Sequence, residues 1–285
     1  MKQKNVILGT TGIVSGKNAF GALPIQRDSE DTAIHLLRKA YEAGFTFFDS
    51  ARAYSDSEKK IGLALSDVRD KIYIATKTHA KSPEDFRKDL ETSLKTLKTD
   101  YIDIYQFHLA KQCYRPGDGT GMYECMLEAK KEGKIRHIGI TAHLIHIAEE
   151  AVLSGLYETV QFPFSYLASE RDINLVKLCK EHNVGFICMK ALSGGLITNA
   201  KAAYAYIDQF ENALPIWGIQ RESELDEFIG FMENAPEMTD EIKSVIESDR
   251  KTLTGDFCRG CGYCMPCPAG ITISECARMS QLIRR

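Results

Sequence analysis

Short apolar runs rich in β-branched and aromatic residues recur along the chain, and amphipathic stretches separate them. Most runs lie roughly 25–30 residues apart, the length of one strand followed by one helix and its loops. The pattern predicts eight β-strands, at 18–25, 45–50, 71–77, 101–108, 135–141, 159–165, 184–190 and 213–219. Alternation of this kind is typical of a parallel sheet.

The stretches between the runs carry helix start and stop signals. Ser82 supplies an N-cap and Pro83 stands at the first helical position, and a stripe at helical spacing follows at Phe86, Leu90, Leu94 and Leu97. A second helix is predicted between Ser29 and Gly44, with Gly44 as its terminator. Eight strand–helix units favour an α/β fold of the (β/α)8 TIM-barrel type. The doubly wound alternative is disfavoured because no Gly-x-Gly-x-x-Gly loop follows the first strand.

Composition narrows the class of protein. Of the 285 residues, 44% are hydrophobic and 26% are charged, and the net charge is -3. This balance gives no electrostatic reason to expect a nucleic-acid partner. The N-terminus holds only a three-residue apolar run, and no stretch approaches membrane length. We therefore expect a cytoplasmic protein with neither a nucleic-acid nor a membrane partner.

Ionisable side chains follow three consecutive predicted strands. Asp49 ends the second strand and Tyr54 follows it, Lys77 ends the third, and His108 ends the fourth. In a barrel these strand ends meet at one mouth. A lysine ammonium lowers the pKa of a neighbouring tyrosine, a carboxylate holds the lysine, and a histidine N–H orients a carbonyl oxygen. Each residue taken singly is consistent with a structural role. Together they predict a site that protonates a carbonyl oxygen. Such a site needs a hydride donor, which implies a nicotinamide cofactor.

These residues stand in motifs that resemble a known family. FFDSARAYSDSEKKIGLAL (47–65) is similar to the aldo-keto reductase signature, IATKT (74–78) to its catalytic-lysine strand and YIDIYQFH (101–108) to its histidine strand. The resemblance covers about residues 5–230 and implies an NADPH-binding (β/α)8 barrel. It also implies catalytic roles for Tyr54 as general acid, for Lys77 and Asp49 as its tuning pair, and for His108 as the substrate-orienting group.

The resemblance also implies a set of coenzyme-binding residues, with NADPH favoured and NADH left open. Thr141 fits the carboxamide-binding pair, but Ala142 replaces its asparagine, so that His143 either compensates or is a loop residue. The remaining positions are Gln161 for the carboxamide, Met189 in place of a stacking tyrosine, Ser193, Gly194 and Leu196 for the pyrophosphate, and Gly218, Gln220 and Arg221 for the adenosine side. Phe20, Arg52 and Trp217 are expected to border the mouth, with Arg52 either favouring an anionic substrate or anchoring a loop.

Five of the nine cysteines crowd into the last part of the chain. Four of them form C-x2-C-x2-C-x2-C immediately before Pro268: Cys258, Cys261, Cys264 and Cys267. Structural zinc sites usually take their ligands as two pairs from separated knuckles. This run instead resembles the bacterial ferredoxin run C-x2-C-x2-C-x3-C-P and is one residue shorter in its last gap. It therefore favours a [4Fe-4S] cluster over zinc or unliganded thiols. Cys267 is the preferred fourth ligand and Cys276 the alternative.

Some aldo-keto reductases resemble this whole arrangement, with an MPCPxGI-type tail. The chain is accordingly interpreted as a barrel, residues 1–235, followed by a helix and a ferredoxin-like segment, residues 236–285. The favoured function is an NAD(P)H-dependent oxidoreductase acting on a small carbonyl substrate or the corresponding alcohol. The cluster either folds the tail or exchanges single electrons with an external partner protein. The alternatives are a redox-sensing or electron-transfer protein that binds nucleotide without turnover, and a regulatory subunit.

Overall fold

The computed structural model describes residues 2–253, 267–277 and 279. Its first two strands, β1 (Asn5–Ile7) and β2 (Val14–Gly16), form an antiparallel hairpin. The next eight strands pair in parallel and close into a barrel. In chain order they are β3 (Ala19–Gly21), β4 (Phe47–Asp49), β5 (Tyr73–Thr78), β6 (Ile102–Phe107), β7 (Ile135–Thr141), β8 (Thr159–Pro163), β9 (Gly185–Met189) and β10 (Ala213–Gly218).

All eight strands predicted from the apolar runs are present, which confirms the (β/α)8 barrel. Several are shorter than predicted. The first ends at Gly21 instead of continuing to residue 25, because Pro24 opens a 3₁₀ turn (Pro24–Arg27). Proline has no backbone N–H to donate to a neighbouring strand, so it stops the ladder. The short strands still bring their carboxyl ends to one face of the barrel.

One helix follows each barrel strand. These are α1 (Glu30–Glu42), α2 (Ser57–Leu65), α3 (Pro83–Leu97), α4 (Met122–Lys131), α5 (Ile145–Ser154), α6 (Glu170–Glu181), α7 (Ala200–Ile207) and α8 (Glu222–Glu233). The predicted cap at Ser82 is confirmed, since its hydroxyl oxygen accepts the N–H of Asp85. Ser29 caps α1 in the same way, because its hydroxyl oxygen accepts the N–H of Thr32. Gly44 lies just beyond the end of α1 with φ of 100°.

Apolar side chains form two layers. The larger lies between the barrel and its helices, and the apolar stripe of α3 is part of it. The smaller fills the barrel interior at the amino ends of the strands, where Val6, Leu8 and Ile13 of the hairpin pack against Phe47 and Ile104. The hairpin therefore closes this end, and the opposite end is where polar strand-terminal residues gather.

Beyond the barrel helices, α9 (Asp240–Leu253) packs on α7 through the buried Ile246. Its far end is tied to the loop after β8. The Tyr166 hydroxyl donates to Asp249, and Arg250 Nε donates to the Tyr166 carbonyl at 2.7 Å. Since that loop leaves the carboxyl end of β8, the end of α9 lies at the same face as the predicted site. A short helix, α10 (Ile273–Cys276), follows in the tail. None of the helices within the described ranges has the length and apolar character of a membrane span.

Candidate active site

The predicted ion pair lies at the carboxyl ends of β4 and β5. Lys77 Nζ donates to Asp49 Oδ1 at 2.6 Å and to the Ser50 carbonyl at 2.5 Å. Both side chains are almost fully buried, at 1% and 2% exposure. Burial raises the pKa of Asp49, and the Lys77 ammonium opposes this. The two charges therefore depend on each other, because neither has water to replace its partner.

Tyr54 stands over this pair. The Lys77 ammonium lies 5.2 Å from the centroid of the tyrosine ring. The sequence led us to expect a lowered tyrosine pKa, but its pKa is raised, because burial outweighs the opposing effect of Lys77. The expectation of a lowered Tyr54 pKa is therefore wrong for the free protein. A raised pKa keeps Tyr54 protonated at neutral pH, as a proton donor must be, while Lys77 remains placed to stabilise the phenolate.

His108 completes the predicted group. Its ring meets that of Tyr54 edge-on, with centroids 5.6 Å apart. Burial lowers the pKa of His108 to about 2, and the charges of Lys77, His79 and His143 act in the same direction. The imidazole is therefore neutral in the physiological range, with one N–H to donate. A neutral imidazole at this position can donate one hydrogen bond, for example to a carbonyl oxygen.

A buried carboxylate that the sequence reasoning missed anchors the loop that carries Tyr54. Glu58 accepts hydrogen bonds from Arg52, from the Thr76 hydroxyl at 2.7 Å and from the Ser93 hydroxyl at 2.8 Å. The Arg52 backbone N–H donates to the Lys77 carbonyl at 2.9 Å. Of its two expected roles, Arg52 therefore has that of anchoring the loop. Glu58 belongs to the Ser-Glu pair within the aldo-keto reductase signature (47–65). That pair was the sequence signal that could have indicated the role of this carboxylate.

Two expectations about the mouth are wrong. Phe20 and Trp217 are fully buried and do not border it. The Trp217 ring stacks on Phe228 with centroids 4.5 Å apart, and its indole N–H donates to the Lys17 carbonyl at 3.0 Å. Both side chains point outward from the barrel into the layer beneath the helices, because alternate residues of a strand face opposite sides.

The residues expected to hold the nicotinamide lie on neighbouring strands. Thr141 and Gln161 are register partners on β7 and β8, and both are buried. The Thr141 hydroxyl oxygen accepts the Leu109 N–H at 2.8 Å, and Gln161 Oε1 accepts Gln106 Nε2 at 2.9 Å. Gln161 also lies near Asp49, where it lowers the pKa of the carboxyl group against the effect of burial.

The other expected coenzyme positions lie at the same face. Half-buried Met189 ends β9, and the loop after it contains Ser193, Gly194 and half-buried Leu196. Ser193, Gly194 and Gly195 have φ values of 49°, 72° and 94°. Such a left-handed run exposes backbone to an approaching ligand, and the two glycines have no Cβ to obstruct it.

The adenosine-side positions follow β10. Gly218 and Arg221 are exposed and Gln220 is half-buried. The backbone N–H groups of Gln220 and Arg221 donate to Glu224 Oε2 at 2.9 and 3.0 Å, at the beginning of α8. The Arg221 backbone is thus fixed at the helix start, and its exposed side chain is accessible to an anion.

His79 is a further residue at the mouth that the sequence reasoning missed. Its ring centroid lies 4.0 Å from that of His108. The available signal was its position two residues after Lys77, at the end of β5. His143, which follows β7, is half-buried and close enough to His108 to act on its pKa.

Most of the predicted ligands of the [4Fe-4S] cluster lie outside the residues that the structure describes. Cys258, Cys261 and Cys264 lie outside the described residues. Cys267 is half-buried and Cys276 is exposed, and both are free thiols. Within residues 2–253, 267–277 and 279, no group of three or more side chains has the arrangement of a metal site. The [4Fe-4S] expectation therefore stays a prediction.

With the barrel and its polar mouth described, comparison with known proteins gives the class. The model of the aldo/keto reductase family matches residues 6–227, and the chain belongs to that family. Among curated relatives, the aldo-keto reductase YhdN of Bacillus subtilis is 32% identical over 67% of this chain and 62% of its own length. The methylglyoxal reductase DkgB of Salmonella typhimurium is 36% identical over 65% of this chain and 73% of its own.

Solved structures share the fold. The aldo-keto reductase AKR11C1 of Bacillus halodurans superposes with a TM-score of 0.75 at 22% identity, covering 86% of this chain and 96% of that one. An aldo-keto reductase of Klebsiella pneumoniae in complex with NADPH also reaches 0.75, at 18% identity, covering 87% and 95%. These likenesses establish the barrel. The matched region spans about 62% of the length of the B. subtilis relative.

Proposed function

We propose that this protein is an NAD(P)H-dependent oxidoreductase that reduces a small aldehyde or ketone, or oxidises the corresponding alcohol. The observation that carries the proposal is the buried Lys77–Asp49 ion pair beneath Tyr54, with neutral His108 beside the tyrosine ring. A protonated phenol, a cation that stabilises its anion and a neutral N–H donor are the groups that carbonyl protonation requires.

The proposed reaction places the substrate oxygen between the Tyr54 hydroxyl and the His108 N–H. Tyr54 donates its proton to the oxygen as negative charge develops there. The Lys77 ammonium stabilises the resulting phenolate, and Asp49 holds that ammonium in place. A bound nicotinamide coenzyme would supply the hydride, because no amino-acid side chain can. In the oxidative direction the Tyr54 phenolate accepts the alcohol proton.

The residues present fit a nicotinamide dinucleotide. The left-handed run at Ser193–Gly195 offers an open backbone to a pyrophosphate. We assign Thr141 and Gln161 to the carboxamide side, Met189 to the face of the nicotinamide ring, and Gly218 and Gln220 to the adenosine side. Exposed Arg221 matches a 2′-phosphate, which makes NADPH the preferred coenzyme and NADH the alternative.

We also propose that residues 236–285 form a distinct tail that holds a [4Fe-4S] cluster. The support is the spacing of Cys258, Cys261, Cys264 and Cys267, which resembles a ferredoxin run. The cluster either holds the tail together or exchanges electrons with a partner protein. It takes no part in the hydride step, because a cubane moves one electron at a time and a nicotinamide moves two.

The oxidoreductase proposal is tested with anaerobically purified protein. NADPH oxidation is followed with a panel of aldehydes and ketones, and the alcohol product is quantified. We expect stoichiometric alcohol formation with at least one small carbonyl compound. Nucleotide binding without turnover of any carbonyl or alcohol would refute the proposal and support a redox-sensing role.

The cluster proposal is tested separately by metal content. We expect about four iron atoms per chain and a broad absorbance near 400 nm that bleaches with dithionite. Cys267→Ser should lower both, and Cys276→Ser is the matched control that leaves both unchanged. Stoichiometric zinc without iron would refute the cluster, and the reverse behaviour of the two variants would make Cys276 the fourth ligand.

A further inference from the structure

The end of α9 contacts the loop that follows β8, at the face of the barrel where the candidate site lies. The Tyr166 side chain is fully buried, and its hydroxyl donates to Asp249. Burial raises the pKa of Tyr166, and the Asp249 carboxylate adds to this, so the phenol stays protonated and can donate. Arg250 Nε donates to the Tyr166 carbonyl at 2.7 Å. Two successive residues of α9 therefore hold both the side chain and the backbone of one residue in this loop.

The loop after β8 is joined in turn to the loop after β9. The Phe164 N–H donates to the Met189 carbonyl at 3.0 Å. The hydroxyls of Ser165 and Ser193 hydrogen-bond each other at 2.9 Å, and both residues are buried, at 6% and 8% exposure. Ser165 Oγ also accepts the Leu167 N–H at 3.2 Å, which fixes the direction of its side chain. The two loops are therefore connected through both backbone and side chains.

Ser193 begins the left-handed run to which the pyrophosphate is assigned above. Its φ of 49° lies in a region that residues with a Cβ rarely adopt, so neighbouring contacts have to stabilise it. The buried hydrogen bond with Ser165 is such a contact. Ser165 directly precedes Tyr166 in the chain. A displacement of Tyr166 from α9 therefore also moves the partner of Ser193.

We propose that Asp249 and Arg250 are positioning residues for coenzyme binding. By holding Tyr166 they keep the Ser165 hydroxyl against Ser193, and the left-handed run then keeps the shape that accepts a pyrophosphate. Both residues act through Tyr166 and not through a contact with the coenzyme. This inference rests on the proposed function, because it concerns the coenzyme of that reaction.

The test measures the Kd for NADPH, followed by nicotinamide fluorescence, in Tyr166→Phe and Asp249→Ala. Each change removes one partner of the same hydrogen bond. We expect each to raise the Kd by about 5- to 10-fold, in the lower part of the range for coupled sites. Alanine is the best helix former, so Asp249→Ala does not weaken α9 itself. This variant also serves as the second one should Tyr166→Phe fold poorly.

Tyr123→Phe is the matched control. The Tyr123 side chain is also buried, and its hydroxyl donates to the Leu156 carbonyl at 2.6 Å, which joins α4 to the turn before β8. Its loss should lower Tm about as much as Tyr166→Phe does and leave the Kd for NADPH unchanged. A merely structural role of Tyr166 predicts instead that the Kd changes in parallel with Tm in both variants.

A second measurement uses the reciprocity of coupling between two sites. Since an ordered end of α9 favours NADPH, bound NADPH should stabilise the end of α9 by the same factor. Saturating NADPH should therefore slow amide hydrogen exchange at residues 250–253 in the wild type. Ser165→Ala, which interrupts the connection without touching α9, should abolish most of this protection.

Separate outcomes identify separate failures. If Tyr166→Phe and Asp249→Ala bind NADPH as tightly as the wild type, the positioning role is refuted while carbonyl reduction stands. The role is equally refuted if Tyr123→Phe weakens NADPH binding to the same extent, or if NADPH leaves exchange at residues 250–253 unchanged. If the wild-type protein binds neither NADPH nor NADH, the proposed function fails and this inference fails with it.

Discussion

Replacement of Glu58 by glutamine tests how the loop that carries Tyr54 is held. The carboxylate is 1% exposed and accepts from Arg52, Thr76 and Ser93. Glutamine has the same shape, but its NH2 group has to face donors, and the Arg52 guanidinium loses its counter-charge. Breaking a buried ion pair in this way costs about 3–5 kcal/mol.

The expected loss of folding free energy can be converted into a change in melting temperature. Unfolding entropy of about 2.1 cal/mol/K per residue gives about 0.6 kcal/mol/K for a chain of this length. A loss of about 3–5 kcal/mol therefore lowers Tm by about 5–8 °C. Thermal unfolding monitored by circular dichroism measures this shift directly, and urea titration provides the free energy.

A matched control compares the buried ion pair with a solvent-exposed one. Glu128 pairs with Arg87 at 3.0 Å, and both side chains are 58% exposed. Glu128→Gln makes the same chemical change at the surface and should leave Tm almost unchanged, because a solvent-exposed ion pair contributes little to stability. Equal losses for Glu58→Gln and Glu128→Gln would refute the reasoning, because burial would then have no influence on the pair.

Two further predictions concern stability. Burial raises the pKa of Glu158, but bonds from His137 and other donors outweigh it and hold the pKa at about 2. Its contribution is present above about pH 4.5 and is lost as pH falls toward 2. Glu158→Gln should therefore cost about 2 kcal/mol in urea titrations at pH 7 and about half as much at pH 3; equal losses would contradict this. A Cβ on Gly62 would lie 2.2 Å from the Thr96 carbonyl, whereas one on Gly230 meets nothing within 4 Å. Gly62→Ala should therefore lower Tm, while Gly230→Ala in a helix interior should add about 0.5–1 kcal/mol; the reverse order would contradict the packing.

Much of the barrel could be predicted because its strands read as apolar runs at regular intervals. The hairpin β1–β2 could not, since each strand has three residues and little apolar pattern. The outward positions of Phe20 and Trp217 were missed because a strand's alternation does not say which of its faces points into the barrel.

The sequence indicated which residues form the site better than it indicated their pKa values. Asp49, Lys77 and His108 stand out as polar residues that end apolar strands. The raised pKa of Tyr54 depends on burial, which is a property of the assembled mouth. The stacking of His79 on His108 likewise arises only when β5 and β6 are paired.

Single-turnover hydride transfer in the Tyr54→Phe variant tests the central claim most directly. Protein loaded with NADPH is mixed with a carbonyl compound that the wild type reduces, and the nicotinamide absorbance is followed in wild type and variant, with NADPH affinity measured separately. Loss of the general acid should slow the step by about 10²- to 10⁴-fold while NADPH affinity stays unchanged. Equal single-turnover rates in the two proteins would contradict the assignment of Tyr54 as proton donor.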